Sequence, residues 1–449
     1  MNHLSTGWRR LLGFAAVSCL ASVAAACGGS SSSDPGKSGA SAVPGSSGAK
    51  AAAPVEIKWW HIANTDPGKA DFQAIADKYM TAHPNVKIKI TVLENEAFKT
   101  AIQTNLQAGD IPDLFQSWGG GKMRQQVSAG LLKDITAETS AWKGEISSAA
   151  SALYAVDGKQ YGMPYNAGMV GFWYNKAQFA KAGITTLPTT WDDLLATVKK
   201  LKGAGLTPVA VGAGDKWPAH FWYSYLMVRL CGAQTMKDLE ADGNFSRPCV
   251  VEAGKKVLDL VALAPFQKGY LGAPWDGPDG EDGVMAVQGA AMDLMGQWAP
   301  GAFKAQAGIT DPAKPLPWDV GWFPFPAVPG GTGDAGDAFG GTDGFVVGKN
   351  APPEAVDFLH AILGTDGQKT FADHGLGLPT NTAAQVAVKD PNMKAVLDGL
   401  GKAKFVQLYL DQDLTAEIAG QVGDQTALLF ANKTTAENAA AEITKTAKK

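Results

Sequence analysis

The chain has 449 residues, 45% of them apolar and 18% charged, which is more than one compact core accommodates and suggests two or three domains. Its 39 basic and 43 acidic residues leave a net charge of −4, a balance that argues against nucleic acid as a partner, because phosphate binding needs a basic face. Gly (53) and Pro (25) are abundant without a collagen-like period, and 13 Trp with 9 Tyr supply flat faces that suit ligands as well as packing.

The first segment in chain order is a leader. Arg9 and Arg10 precede residues 11–26, which carry no charge and are apolar or small. That pattern reads as a secretion signal, short for a permanent membrane span. It ends at Ala24-Ala25-Ala26-Cys27, which resembles a bacterial lipobox with Ala24 where Leu is usual. The resemblance implies that the Cys27 thiol is lipidated and becomes the new N-terminus; an ordinary signal peptide cut nearby is the alternative. Residues 28–54 are rich in Gly, Ser and Ala without apolar period and read as a flexible tether. The expected division is therefore 1–26 leader, 27–54 lipidated Cys and tether, then a folded body. Losing Arg9 and Arg10 with the leader moves the net charge from −4 to −6.

Beyond Cys27 only Cys231 and Cys249 remain. In an oxidising compartment such a pair is most simply a disulfide, with two buried thiols as the alternative.

The body opens with residues 55–60, where Val55, Ile57 and Trp59 alternate on one face as in a strand. After Asp66-Pro67, the stripe Phe72, Ile75, Ala76, Tyr79 and Met80 predicts a helix that Pro84 ends. Residues 86–92 alternate again, 95–108 look helical, and a third strand starts at 111–115. Strand and helix in alternation imply parallel crossovers and an α/β class. Ligands in such sheets sit beyond the carboxyl ends of the strands, here Trp60-His61, Glu94-Asn95 and Ser117-Trp118. Helical stripes follow at 191–203 and 250–264, with Trp217, Trp222, Tyr223 and Tyr225 crowded between them. Residues 311–342 have little period and read as a crossing or surface run; 354–374 and 383–449 return to helical patterns.

Catalytic motifs are scarce. H-E-x-x-H and G-x-S-x-G are absent, and the six His are scattered. Residues 331–336 fit G-x-G-x-x-G but follow no strand and open no helix, so they read as a surface loop. No metal or other cofactor is called for.

Several segments together resemble the solute-binding proteins of sugar ABC importers. They are Pro112 to Gly121 (PDLFQSWGGG) with Ala129-Gly130-Leu131-Leu132; Tyr161 to Asn166 (YGMPYN) with Trp173-Tyr174-Asn175-Lys176; Pro188 to Asp193 (PTTWDD); Gln288 to Trp298 (QGAAMDLMGQW); Gly341 to Val347 (GTDGFVV); and Gly377-Leu378-Pro379-Thr380. They stand in the family's order over nearly the whole body. The resemblance implies an α/β, two-lobed, periplasmic-binding-protein-like fold of type II, a hinged clamp. Lobe 1 would span 55–163 plus 330–375 and lobe 2 would span 164–329 plus 376–449. It implies a monomer, tethered to the outer face of the cytoplasmic membrane or in the periplasm, that takes a sugar or oligosaccharide and hands it to permease subunits. The competing readings are a secreted carbohydrate-active enzyme, which needs two carboxylates about 5 to 10 Å apart, and a receptor for another solute. A phosphorylated solute would want Arg or Lys in the cleft, and the expected cleft residues include neither.

A pyranose presents a C–H face and a rim of hydroxyls, so it suits an aromatic plate flanked by planar polar side chains. Trp298, ending its signature, is the expected plate. Ser117 or Trp118, at the third strand's end, should line the cleft, as should His61, as a donor after the first strand, and Glu94 after the second. Trp222 is preferred over Trp217 as the second lobe's wall. Asn166 and Asp343 are expected polar contacts, followed by Tyr409 and Asp413. Trp173, Trp191, Met292 and Met295 read as packing residues.

Overall fold

The computed structural model describes residues 53–449; the leader, Cys27 and residues 28–52 of the tether lie outside them. Strands β1 (Val55–His61), β2 (Val86–Val92) and β3 (Leu114–Ser117) form the parallel sheet the alternation predicts, with Ile57 opposite Ile88 and Trp59 opposite Leu114. Along β1, Ile57 and Trp59 are buried while Glu56 and Lys58 face solvent, so the period-2 pattern sets the register. A short hairpin, β4 (Ala155–Val156) and β5 (Lys159–Gln160), leads into β6 (Gly162–Met169).

At Val170 the chain leaves this sheet and enters another. There β7 (Gly171–Asn175), β8 (Val209–Ala210), β9 (Met292–Met295) and β10 (Val320–Pro324) stand in the order β10-β7-β9-β8. The long strand β11 (Ala338–Val347) then returns. It runs antiparallel to β6 along one edge; on the other, its start pairs with β12 (Val406–Leu408) and its end with β3.

Two cores flank the first sheet. One holds Ile57, Trp59, Phe345 and Phe358, the other Phe98, Ile102, Phe115 and Val346. A larger core surrounds the second sheet and draws on residues from Met169 to Phe339 and again from Leu378 to Ile443. The chain thus forms two α/β lobes, joined by β6, by β11 and by the segment near residue 377.

The helix Trp191–Gly203 falls where the sequence places it, started by a Thr190/Asp193 capping box. The long helix Trp217–Asp242 breaks at Gly232, and the disulfide between Cys231 and Cys249 ties that break to the helix Pro248–Ala262. Residues 311–342 hold two elements that their lack of period conceals, β10 and the start of β11. Residues 325–337, including the G-x-G-x-x-G run, wrap Arg229. Its guanidinium is 1% exposed, donates to the carbonyls of Phe325, Pro326, Asp334 and Asp337, and lies over the Tyr225 ring. A Cβ at Gly333 would lie 2.1 Å from the Val228 carbonyl oxygen, so the glycines there serve close approach to this helix and not a phosphate.

Candidate functional site

The loops at the carboxyl ends of β1, β2 and β3 face the second lobe across a cleft of about 1310 Å³, counted out to its open mouth. Lobe 1 contributes the loop after β1, Glu94, Lys99 and Trp118; Asn166 and Asp343 line the cleft from β6 and β11. From the second lobe come Trp217, Trp275, Asp276, Asp282, Trp298, Tyr409 and Asp411.

The aromatic groups form one connected cluster. Trp217 opens its helix and lies 5.4 Å from Trp275 and 6.4 Å from Trp298, centroid to centroid. Trp298 stands edge-on to Tyr409 at 6.1 Å. Opposite them, Trp118 follows β3 directly. The Lys99 ammonium reaches across, 5.6 Å from the Trp118 ring and 5.8 Å from that of Trp217, held at 2.7 Å by Glu96. The lobes are thus in contact through a cation placed between two indoles, one from each side.

The polar groups have fixed roles. Glu94 caps the helix Asn95–Ala108 with one oxygen, which accepts from Glu96 N and Ala97 N, leaving the other for the cleft. Asn166 donates to Asp343 Oδ2 at 2.8 Å and accepts from Leu378 N at 2.8 Å. Gly377 can only be glycine beside it: its φ is +156°, and a Cβ would lie 2.4 Å from Asn166 Oδ1. Burial pushes the Asp343 carboxyl up to about 6, against the opposing pull of the Asn166 and Trp118 N–H groups.

Asp411 behaves in the opposite way. Burial alone would raise its pKa, but His220 Nε2 at 3.1 Å, close though off hydrogen-bond alignment, and the nearby Lys99 and Lys122 hold it well below the carboxylate range. Asp282 is pushed up to about 8 by burial and then by the charge of Asp276, so it is a neutral acid at pH 7. Asp276 accepts from Gln306 at 2.7 Å and, across the cleft, from Asn64 at 3.0 Å. Among the described residues, three buried polar atoms on the cleft lining have no protein partner: Trp217 Nε1, Tyr409 Oη and Asp282 Oδ1. Buried polar atoms rarely stay unpaired, and here they lie on residues facing a cavity.

Of the residues expected from sequence, Glu94, Trp118, Asn166, Trp298, Asp343 and Tyr409 line the cleft. Four do not. His61 is 1% exposed behind Phe72; its ring packs on Trp59 and its Nδ1 accepts from Ala63 N, while burial lowers its pKa to about 4. Ser117 turns inward, where its Oγ accepts from Gly119 N. Trp222 is 1% exposed against Phe172 and Phe266 in the larger core. Asp413 accepts from Gln407 and lies 3.6 Å from Arg124, in a surface groove.

The residues that take their places are close in sequence. Trp217, one turn before Phe221, shares the cleft face of its helix with it, whereas Trp222 lies about 100° further round. Asp411 lines the cleft two residues ahead of Asp413. Lys99 corrects the expectation that no cation is present. Trp275, Asp276 and Asp282 come from residues 270–283, where no period predicted a course.

A model of the bacterial extracellular solute-binding protein family matches residues 63–369. An ABC transporter extracellular-binding protein of Pyrococcus horikoshii, itself uncharacterised, is 30% identical over 378 residues, 82% of this chain and 81% of that protein. The diacetylchitobiose binding protein of Streptomyces coelicolor is 26% identical over 81% of this chain and 80% of its own length. Among solved structures, a chain studied for xylan utilization by the thermophile Caldanaerobius polysaccharolyticus matches with a TM-score of 0.79 and 26% identity, covering 87% of this chain and 99% of that one.

Proposed function

The chain belongs to the bacterial extracellular solute-binding proteins, and from that premise we propose that it binds a sugar, an oligosaccharide, in the interlobe cleft and delivers it to the permease of an ABC importer. The observation that carries this is the pairing of four cleft indoles, Trp118, Trp217, Trp275 and Trp298, with the carboxylates of Glu94, Asp276 and Asp411. Indoles take the C–H face of a pyranose, and each carboxylate accepts from its hydroxyls. Sugar binding is also what the names of relatives such as the diacetylchitobiose binding protein state of those proteins.

In this reading residues 55–163 with 330–375 and residues 164–329 with 376–449 close on the ligand as a clamp, and closure shapes the face the permease meets. Lipidation at Cys27, followed by the tether, would hold the body at the outer face of the membrane.

The role is capture without chemistry. Asp282, pushed up by burial, and its neighbour Asp276 are the pair from which an acid and a base would come. They are, however, close enough to interact directly through their carboxyls, whereas hydrolysis needs carboxyls about 5 to 10 Å apart across the scissile bond. Isothermal titration against mono- and oligosaccharides, with chromatography of the recovered ligand, tests both points. An intact sugar bound at about micromolar Kd, −8 kcal/mol, supports the proposal; a cleaved one overturns it.

A further inference from the structure

The cleft is acidic on balance. Among the described residues that line it, six carry a carboxyl (Asp66, Glu94, Asp276, Asp282, Asp343 and Asp411) and one carries an ammonium, Lys99, which Glu96 already holds. Three of the six have partners that account for them. Glu94 caps a helix, Asp343 accepts from the Asn166 amide, and Asp411 has His220 and the nearby lysines. Asp66, Asp276 and Asp282 have no such account. They stand at the end of the cleft where the loop after β1 meets residues 275–282, bridged by the bond from Asn64 to Asp276.

Two observations single out this end. Asp282 is 1% exposed, yet its Oδ1 lines the cavity with no partner among the described residues. Its carboxyl also interacts directly with that of Asp276, and no cation is among the groups acting on it. Asn64 and Gln306 each donate to Asp276, but an amide is neutral and leaves the charge in place. The Thr65 hydroxyl and the second oxygen of Asp66, whose first accepts from Ala70 N, are open as well. All these open atoms can accept a hydrogen bond. An alkylammonium brings three N–H donors, a positive charge and no acceptor; a hydroxyl brings one donor and lone pairs that face the carboxyl oxygens unfavourably. Two adjacent carboxyls repel when both ionise, and a cation beside them relieves that repulsion.

We infer that the Asp276–Asp282 end of the cleft binds a protonated amine on the sugar, so that the preferred ligands are amino sugars with a free, charged amino group. The inference rests on the sugar-binding reading above. A sugar, and not a free amine, is the ligand because Trp275, next to Asp276 in the chain, belongs to the indole cluster, 5.4 Å from Trp217. A pyranose on those rings carries its amine toward the carboxyls, which then select for charge while the indoles hold the ring.

Titration calorimetry on the purified protein tests it in three series. Glucose, galactose and cellobiose are each compared with the counterpart bearing a free amine (glucosamine, galactosamine and chitosan disaccharide) and with the N-acetylated form of that amine. In the series that binds, the free amine should bind at least tenfold more tightly than both neutral members, about 1.4 kcal/mol. In Asp282→Asn, and likewise in Asp276→Asn, that ratio should fall below about threefold. A free amine that binds no better than either neutral member, or an unchanged ratio in either variant, overturns the inference while leaving the sugar reading intact. Spermidine bound as tightly as the amino sugars would assign the carboxyls to polyamines and overturn it too. If no member of any series binds, the sugar reading fails, and this inference with it.

Discussion

Asn166 and Asp343 meet where the lobes join: the Asn166 amide donates to the Asp343 carboxylate at 2.8 Å, and the two residues are register partners of β6 and β11. The same amide oxygen accepts from Leu378 N, so one side chain fastens all three crossings. Asn166→Ala would leave the Leu378 N–H and the Asp343 carboxylate short of a partner inside the protein. The expected loss is about 2 kcal/mol or more, read as a lower urea midpoint, together with weaker ligand binding because the lobes lose their common fastening.

Trp217 and Trp222 differ by five positions and should give opposite results. Trp217→Ala removes a cleft plate and should weaken sugar binding about tenfold, about 1.4 kcal/mol, with a small change in melting temperature. Trp222→Ala empties the larger core and should cost about 3–5 kcal/mol of stability. Calorimetry and thermal melts on both variants check the assignment. Tight binding in Trp217→Ala would remove that residue from the site, and Trp298→Ala is expected to behave as Trp217→Ala does.

Stability should decline as pH rises through the neutral range. Burial raises Asp343 and Asp413 to about 6 and Asp282 to about 8, and holds Glu281 and Asp293 well above the usual range. Each of these groups keeps its proton in the folded state at a pH where the unfolded chain, near 3.9 for Asp, has lost it. The folded state therefore binds more protons, and stability falls from about pH 4 up to each folded pKa. Asp411 has the opposite sign and adds stability that disappears only in stronger acid, and the lowered His61 opposes the trend between about pH 4 and 6.5, a smaller effect than that of the five carboxyls together. Urea melts at pH 5 and pH 8 should show the higher midpoint at pH 5, and Asp282→Asn should reduce the difference. A midpoint that rises toward pH 8 would contradict this.

The disulfide closes a loop of 18 residues between two packed helices. Reduction, or the Cys231→Ala/Cys249→Ala pair, should lower stability by about 2–4 kcal/mol. A melting temperature unchanged by reductant would place the constraint elsewhere.

Arg229 is buried among four carbonyls and the Tyr225 ring. Arg229→Met keeps much of the volume but orphans those acceptors, and about 3–5 kcal/mol should be lost. Lysine should rescue little, since a single ammonium cannot reproduce the planar fork.

The first lobe was legible because β1 and β2 have one wet edge of side chains, which gives strict alternation. The strands of the second sheet are not: all four residues of β9 are buried, and buried strands have no polar phase to read. The site divides the same way. Topology fixes which strand ends face the cleft, so Glu94 and Trp118 line it, but not which neighbouring side chain turns in, and His61 and Ser117 at the same ends are buried. Helical phase was the weak point, since five residues separate the cleft-lining Trp217 from a core Trp222, and two separate Asp411 from Asp413. Trp275, Asp276 and Asp282 arrive on a stretch whose path is set by tertiary contacts, such as the Trp275 N–H donating to Asp215, and those leave no periodic trace.

The way Arg229 holds its surroundings has a further consequence. It binds main-chain oxygens, which every residue type supplies, so the loop from Phe325 to Asp337 is fastened without regard to most of its own side chains. Substitution can drift through the exposed positions of that loop with the fold unaffected, provided the glycines that allow close approach and the buried Phe325, Val328 and Asp337 are kept. The tolerance of the exposed positions is concentrated as intolerance at one.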